Sequence, residues 1–426
     1  MSTIEQIAAA LQGYDPQALA ATSVNQFLAR LVSPVAESET LGVFDALDRV
    51  LAEDVVSPIS VPPHDNSAMD GFAFDGAQLA PGQPLMLQLA EGTAWAGKAW
   101  AGSAGAGECV KIMTGAIMPA GTDTVVPLEF VRVDGGQLTV PADAVRRGDN
   151  RRLLGEDLMA GRPALARGQT LGPAALGLIA SLGLPTVRVF RRLKVAYFST
   201  GDEILSLGDA PREGAVYDSN RYTVFGLLSR LGIEVIDMGV VRDEPAALEA
   251  AFRQAARAAD AIITSGGVSM GEADHTKAMM KQLGDVAFWR IAMRPGRPMA
   301  VGRITEAGKS SILFGLPGNP VAVMVTFLAF VRPALQRMMG CRESDPVLLK
   351  AHSAEPLRKK PGRTEYQRGI VSREADGTLR VRTTGNQGSG VLRSMALANG
   401  LIVLHHGQGN VAVGDEVDVM MFDGVI

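Results

Sequence analysis

The sequence predicts a multidomain α/β protein with added β-rich parts, and three observations lead there. Residues 193–340 alternate short apolar runs with helical segments, which calls for a parallel sheet with covering helices. Within that stretch the runs Val195–Phe198, Ala261–Thr264 and Ser311–Phe314 each lead into a polar, Gly-rich loop. After residue 341, alternating segments with Gly turns at Asp376-Gly, 407–410 and Val413-Gly-Asp415 suggest a small β-barrel or sandwich. A chain of 426 residues is too long for one ordinary core, so two to four domains are expected.

The first stretch reads as helical, with Ser23 as N-cap before Val24–Val32. A second helical pattern runs from Leu41 to Ala52, and Pro58, Pro62 and Pro63 then force extended backbone. From Gly71 to Val145 short apolar segments are separated by Gly and Pro, which suggests a β-rich insert. The basic stretch Arg146–Arg152 leads back towards helix at Pro173–Leu182. In the α/β part, strands are expected at Leu193–Phe198, Glu234–Val241, Ala261–Thr264, Val286–Met293 and before Gly315. Helices are expected at Asn220–Leu231, Pro245–Ala258, Ala273–Leu283 and Pro320–Met339.

The formal net charge of −4, without a prominent basic block, sets aside nucleic acid and anionic membranes as expected partners. No run reaches the roughly 20 apolar residues that span a bilayer. The N-terminus lacks a basic stretch followed by an apolar core, so no signal peptide is expected. Two cysteines, Cys109 and Cys341, are too few for a disulfide framework and suit free thiols in a reducing cytoplasm. None of the five His residues forms an HExxH pattern, which argues against a zinc hydrolase.

The loops carry the chemistry. Ser265-Gly-Gly-Val-Ser-Met-Gly271 follows a strand; Gly residues let backbone approach a ligand, and consecutive N–H groups can form an anion nest. A plain turn is the competing reading. Asp202, Glu203, Asp218, Asp243, Glu244, Glu272 and Asp274 fall in loops or at element starts, where solvated surface charge is the ordinary explanation. A phosphate pocket ringed by carboxylates would repel its ligand, and Mg²⁺ bound by one or two carboxylates and phosphate oxygens resolves that conflict. Met293-Arg-Pro-Gly-Arg-Pro298 places two cations on a stiff turn that suits an oxyanion. In Leu316-Pro-Gly-Asn-Pro320 the turn opens a helix whose N-terminus would offer N–H groups to an anion. Such loops at the carboxyl ends of strands line the crevice of an open α/β sheet.

Read together and in order, Pro63-His-Asp-Asn-Ser-Ala-Met-Asp-Gly71, Ile112-Met-Thr-Gly115, Gly155-Glu-Asp157, Ser199-Thr-Gly-Asp-Glu203, Tyr217-Asp-Ser-Asn-Arg221, the Ser265 loop and Leu316–Pro320 resemble the molybdopterin molybdenumtransferases. This is the molybdate-insertion family that includes the E domain of gephyrin, and the resemblance runs from about residue 20 to the C-terminus. It implies a discontinuous helical and linker region at 1–60 and 146–190, a β-rich insert at 61–145, a molybdopterin-binding α/β domain at 191–340 and a C-terminal β-barrel at 341–426. It further implies a cytoplasmic homodimer whose active site is completed by the partner subunit. The implied reaction takes adenylylated molybdopterin and molybdate with Mg²⁺, cleaves the phosphoanhydride, and yields molybdenum cofactor and AMP. A molybdopterin adenylyltransferase and molybdoenzyme apoproteins are the implied further partners.

Carried over by motif, Asp70, Glu203 and Asp274 are the implied catalytic residues, and with Glu244 they form the implied metal set. Gly266, Gly267, Ser269 and Gly271 would cradle phosphate or pterin, while Arg294 and Arg297 would hold molybdate or phosphate. Thr114, Asp157, Asp218, Pro317, Gly318, Asn319, Pro320, Arg368 and Ser389 complete the implied substrate contacts. The chain departs from the family in three ways: Arg where Lys is frequent at 294 and 297, Ala322 in place of Ser, and Glu244 in place of Asp. Two alternatives remain. An adenylyltransferase predicts a compact chain near the length of 190–340 alone, and a non-catalytic molybdopterin-binding scaffold predicts decay of the clustered carboxylates.

Overall fold

The computed structural model describes residues 3–268, 275–342, 345–422 and 424. Its central sheet has six strands in the order Glu234–Val241, Lys194–Thr200, Ala261–Ser265, Lys309–Leu316, Pro298–Glu306, Gly284–Arg290. The first four are mutually parallel, whereas the last two join through antiparallel pairings, so the sheet is mixed rather than wholly parallel. The strand Pro298–Glu306 escapes sequence reading because its hairpin turn is Ala307-Gly308, with φ of 50° and 79°. Both turn residues are left-handed, as a type I′ hairpin requires, yet Ala gives no warning of it.

Helices Ser219–Arg230, Pro245–Ala258, His275–Leu283 and the segment Pro320–Met338 cover the sheet. That last segment, interrupted by a π turn at Phe327–Val331, is long and apolar enough to cross a bilayer by length and composition. It corrects the expectation that no such run exists, but 83% of its apolar window is buried inside the fold, as in a core helix.

Helices Ile4–Ala9 and Ala21–Leu31 join the same core: Val24, Phe27, Leu28 and Leu31 pack with Val195, Tyr197, Val301 and Phe330. Ser23 lies inside the second helix, and Ala20 takes the N-cap position without a side-chain bond. The helix starts early because Ala21 and Val24 are both needed on the buried face. Between Leu41 and Ala52 the expected helix is absent. Ser38–Gly42 pairs as a strand with Thr186–Phe190, only Val43–Ala46 makes a 3₁₀ turn, and Asp48 at φ 60° stops any helical continuation.

A second six-stranded sheet orders Thr124–Pro127, Gly71–Phe74, Glu108–Ile112, Leu85–Ala94, Gln137–Val140 and Arg132–Asp134. All its pairings are antiparallel except that of Leu85–Ala94 with Glu108–Ile112. Near the C-terminus, Thr364–Arg373, Leu379–Thr383, Leu348–Ser353, Glu416–Met421 and Gly400–Leu404 form a ring, closed by pairing of the first with the last. Val381, Ile402, Leu404, Val417 and Val419 fill this five-stranded barrel. Met293, expected as the end of a central strand, instead pairs together with Arg294 in parallel with barrel strand Thr364–Arg373. That pairing brings the cationic turn between the sheet and the barrel.

Candidate active site

A cleft of about 940 Å³ opens where the carboxyl ends of the central strands meet the barrel. Thr200, Gly201 and Glu203 line it from the first loop, Gly266, Gly267 and Val268 from the second, and Pro317, Gly318 and Asn319 from the third. The turn Met293–Pro298 adds Arg294 and Arg297, and the barrel adds Arg363, Gln387 and Ser389. Nine residues expected from sequence are therefore brought together: Glu203, Gly266, Gly267, Arg294, Arg297, Pro317, Gly318, Asn319 and Ser389.

The loops are tied to one another at atomic detail. Tyr197 Oη lies 2.9 Å from Ser199 Oγ and 2.7 Å from Ser265 Oγ, and the two Ser hydroxyls are 3.2 Å apart. Three buried hydroxyls in a triangle allow each to donate once and accept once, so the strand ends that launch both loops are satisfied without water. Burial pushes the Tyr197 phenol above its usual range, so it remains a neutral donor. Gly266 and Gly267 have φ of 91° and 66°. A Cβ on Gly266 would sit 2.5 Å from Thr200 O, and one on Gly267 would sit 2.4 Å from Thr276 Cβ. Only Gly fits either position.

Some expected anion donors are already engaged. The Gly266 amide donates to Leu316 O at 3.2 Å. Pro320 has no N–H and opens a helix behind the third loop, Val321 N–H donates to Ser389 O at 3.2 Å, and Val323 N–H bonds back to Asn319 O at 2.9 Å. The helix end is thus turned to docking the barrel loop rather than to an anion. The free positive charge comes from Arg294 and Arg297, both exposed and without a carboxylate partner among the described residues.

Arg368 does not line the cleft. It is 1% exposed, with Nε donating to Ser394 Oγ at 2.9 Å and Nη2 donating to Gly388 O at 2.9 Å. Its own amide donates to Gln387 Oε1 at 2.8 Å, so it braces the loop that carries Gln387 and Ser389. Burial, and then the like charge of Arg294, push its pKa down to about 10, which leaves it cationic at neutral pH. Asp218 likewise works from behind: Oδ1 accepts from Arg221 N–H at 3.0 Å and caps helix Ser219–Arg230, and two residues on Asn220 Nδ2 donates to Gly318 O at 2.8 Å. Asp218 Oδ2 is buried without a partner among the described residues.

The implied metal set is not assembled as a unit. Glu203 lines the cleft, but Glu244 is exposed, lies 3.8 Å from Arg242 and heads helix Pro245–Ala258 outside it. Its neighbour Asp243 faces the cleft instead and accepts from Thr276 Oγ1 at 3.2 Å. Ser269, Gly271 and Asp274 lie outside the described residues. Among the described residues, no group of three or more His, Cys, Asp or Glu is arranged to hold a metal.

Asp70, Thr114 and Asp157 also stand off the cleft. Asp70 Oδ1 accepts from both the amide and the hydroxyl of Thr114, each at 2.7 Å. The Thr114 hydroxyl, then its amide, hold the Asp70 carboxyl below the usual carboxylate range. Asp157 is exposed, and its amide donates to Val61 O at 3.1 Å. Sequence reasoning missed Arg363 and Gln387. Gln387 sits in the same Gln-Gly-Ser string as Ser389, but nothing in Arg358-Lys-Lys-Pro-Gly-Arg363 says which cation of this basic run faces a ligand.

Comparison with known proteins matches this architecture along the chain. Residues 19–183 match the MoeA N-terminal region (domain I and II), 196–337 a probable molybdopterin binding domain, and 350–422 the MoeA C-terminal region (domain IV). The molybdopterin molybdenumtransferase of Haemophilus influenzae is 40% identical over 391 residues, covering 92% of this chain and 95% of that one. That of a Nostoc species is 35% identical over 393 residues, covering 90% and 88%. The crystal structure of the molybdopterin biosynthesis moeA protein from Pyrococcus horikoshii OT3 superposes with a TM-score of 0.79 at 25% identity, covering 95% of this chain and all of the other. By sequence and by fold, the chain belongs to the molybdopterin molybdenumtransferase family.

Proposed function

We propose that the cleft inserts molybdate into adenylylated molybdopterin, cleaving the phosphoanhydride to release AMP and molybdenum cofactor. One observation carries this reading: three strand-end loops converge on one cleft with two arginines that have no carboxylate partner among the described residues. The family to which the chain belongs supports it. The Gly266–Gly267 loop gives close backbone approach to a phosphorylated ligand, and the Arg294–Arg297 turn offers planar donors to a tetrahedral oxyanion. On the barrel side Ser389 offers a neutral hydroxyl, while Gln387, its Nε2 donating to Arg368 O at 3.2 Å and its Oε1 accepting from the Arg368 amide, holds the loop that carries it. Dithiolene sulfurs of the pterin would hold molybdenum, so the protein itself needs no cysteine ligands.

Glu203 and Asp243 fit a magnesium ion by donor chemistry, since two carboxylates plus ligand oxygens suffice for it, and they are the residues that would hold it. When bound, such an ion neutralises charge on the phosphoanhydride oxygens. Glu203 lines the same cleft, and Thr276 orients Asp243.

The same reading includes a cytoplasmic homodimer. Asp70 and Thr114 form an ordered, exposed pair that touches no cleft residue of its own chain among the described residues, which suits delivery to the cleft of a second copy. A molybdopterin adenylyltransferase would supply the substrate, and molybdoenzyme apoproteins would accept the product.

The test is AMP release from adenylylated molybdopterin with Mg²⁺, with and without molybdate. Molybdate-dependent release is expected; tight binding without release would favour a carrier, and absence of binding would overturn the reading.

A further inference from the structure

Behind the arginine turn lies a second cavity of about 320 Å³. Its charged lining is Arg290, Arg297, Lys360 and Arg363, with Gln17 beside them and no acidic side chain. Arg297 and Arg363 also line the main cleft, so the two spaces share a wall. Arg363 is paired with Glu365 at 2.7 Å, whereas Arg290, Arg297 and Lys360 have no carboxylate partner among the described residues.

The walls are fixed by backbone rather than by the cations. Arg290 N–H donates to Pro16 O at 2.8 Å and Leu19 N–H to Arg290 O at 3.1 Å, which seats the N-terminal segment over the cavity. Ile291 N–H donates to Arg297 O at 2.7 Å, and Gly362 N–H to His406 O at 2.9 Å. Like charges held on one concave wall repel each other, and an anion relieves that cost. The volume equals about ten waters at ~30 Å³ each, enough for a hydrated oxyanion but far short of the main cleft.

We infer that this cavity is a staging site for small tetrahedral oxyanions of the molybdate class, which pass to the cleft across Arg297 and Arg363. The inference rests on the cleft reading above, because the staged ion is its second substrate. Arginine forks and a lysine supply charge-assisted donors to such an ion, and Gln17 adds a neutral one.

Lys360→Glu tests it, because Lys360 lines only the outer cavity and its carbonyl, which accepts from buried Lys359 Nζ at 2.9 Å, is untouched. Binding of inorganic molybdate is measured by equilibrium dialysis, and AMP release is titrated with molybdate. The variant is expected to need about tenfold more molybdate for half-maximal release, with the rate at saturation unchanged, and Lys360→Arg to restore the parent curve. Dialysis is expected to show weakened molybdate binding in Lys360→Glu and competition by sulfate in the parent. A folded Lys360→Glu protein with parental binding and half-saturation overturns the inference. If the parent itself releases no AMP in response to molybdate, the cleft reading fails instead, and dialysis alone then judges the cavity.

Discussion

The central sheet and the insert sheet each have six strands, yet they treat their polar residues differently. The central sheet is covered on both faces: every residue of Ala261–Ser265 is buried, and helices pack on either side. Its loops therefore have one outlet, at the strand ends, where the cationic turn and the barrel loop join them around the cleft. The insert sheet is thinner, with Leu85–Ala94 largely half-exposed. It holds Asp70 firmly against Thr114 but adds nothing to the cleft of its own chain. If the proposed sharing between subunits holds, this organised carboxylate is the group that a second copy would receive. The difference separates a sheet whose loops converge on a cleft from one whose best-organised carboxylate lies away from it.

The sharpest way to probe the central half of that contrast is Glu203→Gln, which keeps shape and removes charge. AMP release is expected to fall roughly 100-fold with folding intact, in the range for losing one positioned carboxylate. Undiminished turnover would remove Glu203 from the chemistry. The insert half is tested by co-expressing Asp70→Ala with Glu203→Gln and purifying the mixed dimer. One of its two shared clefts would keep both carboxylates, so up to half of the parental rate is expected, against near silence for either variant alone. If purified mixed dimers stay inactive, the cleft is not shared.

Stability separates the two regions further. Gly267→Ala forces a left-handed Ala against Thr276 and is expected to cost about 2 kcal/mol or more, measured by denaturant unfolding, besides slowing release. A smaller effect is expected beneath the sheet, at Asp260. Burial alone would raise its carboxyl, but the Arg191 hydrogen bonds and the Lys194 amide outweigh burial and hold it below the ordinary value. A carboxyl lowered by folding stabilises above its unfolded pKa of about 3.9 and loses that contribution as pH falls through the lower folded value. Asp260→Asn should accordingly flatten the acid limb of a stability-versus-pH curve, and an unchanged limb would show that the pair contributes nothing. Tyr197→Phe should cost least, about 1 kcal/mol, by opening the hydroxyl triangle. Its expected signature is a higher KM for the pterin nucleotide with kcat little changed.

Much of this was legible from the chain. Apolar runs ending in Gly-rich loops located the central strands and the cleft they open on, because a strand buried on both faces must be apolar throughout. What periodicity missed were elements defined by distant partners. Ser38–Gly42 becomes a strand only because Thr186–Phe190 lies beside it, and Met293–Arg294 only because the barrel strand does. Arg363 looked no different from its basic neighbours, since only the barrel's docking turns it towards the ligand.

The sequence by itself determined the residue types at the site: glycines where backbone must approach closely, arginines on a stiff turn, and carboxylates at strand ends. The tertiary structure decided which of them act from the front and which from behind. Asp243 faces the cleft and accepts from Thr276 Oγ1, while Glu244 is exposed near Arg242 at the head of helix Pro245–Ala258. Arg294 stays exposed while Arg368 is buried, because the barrel loop needs an internal brace whose charge is met by carbonyls and a hydroxyl. Such assignments depend on distances between segments far apart in the chain, and local sequence carries no record of those distances.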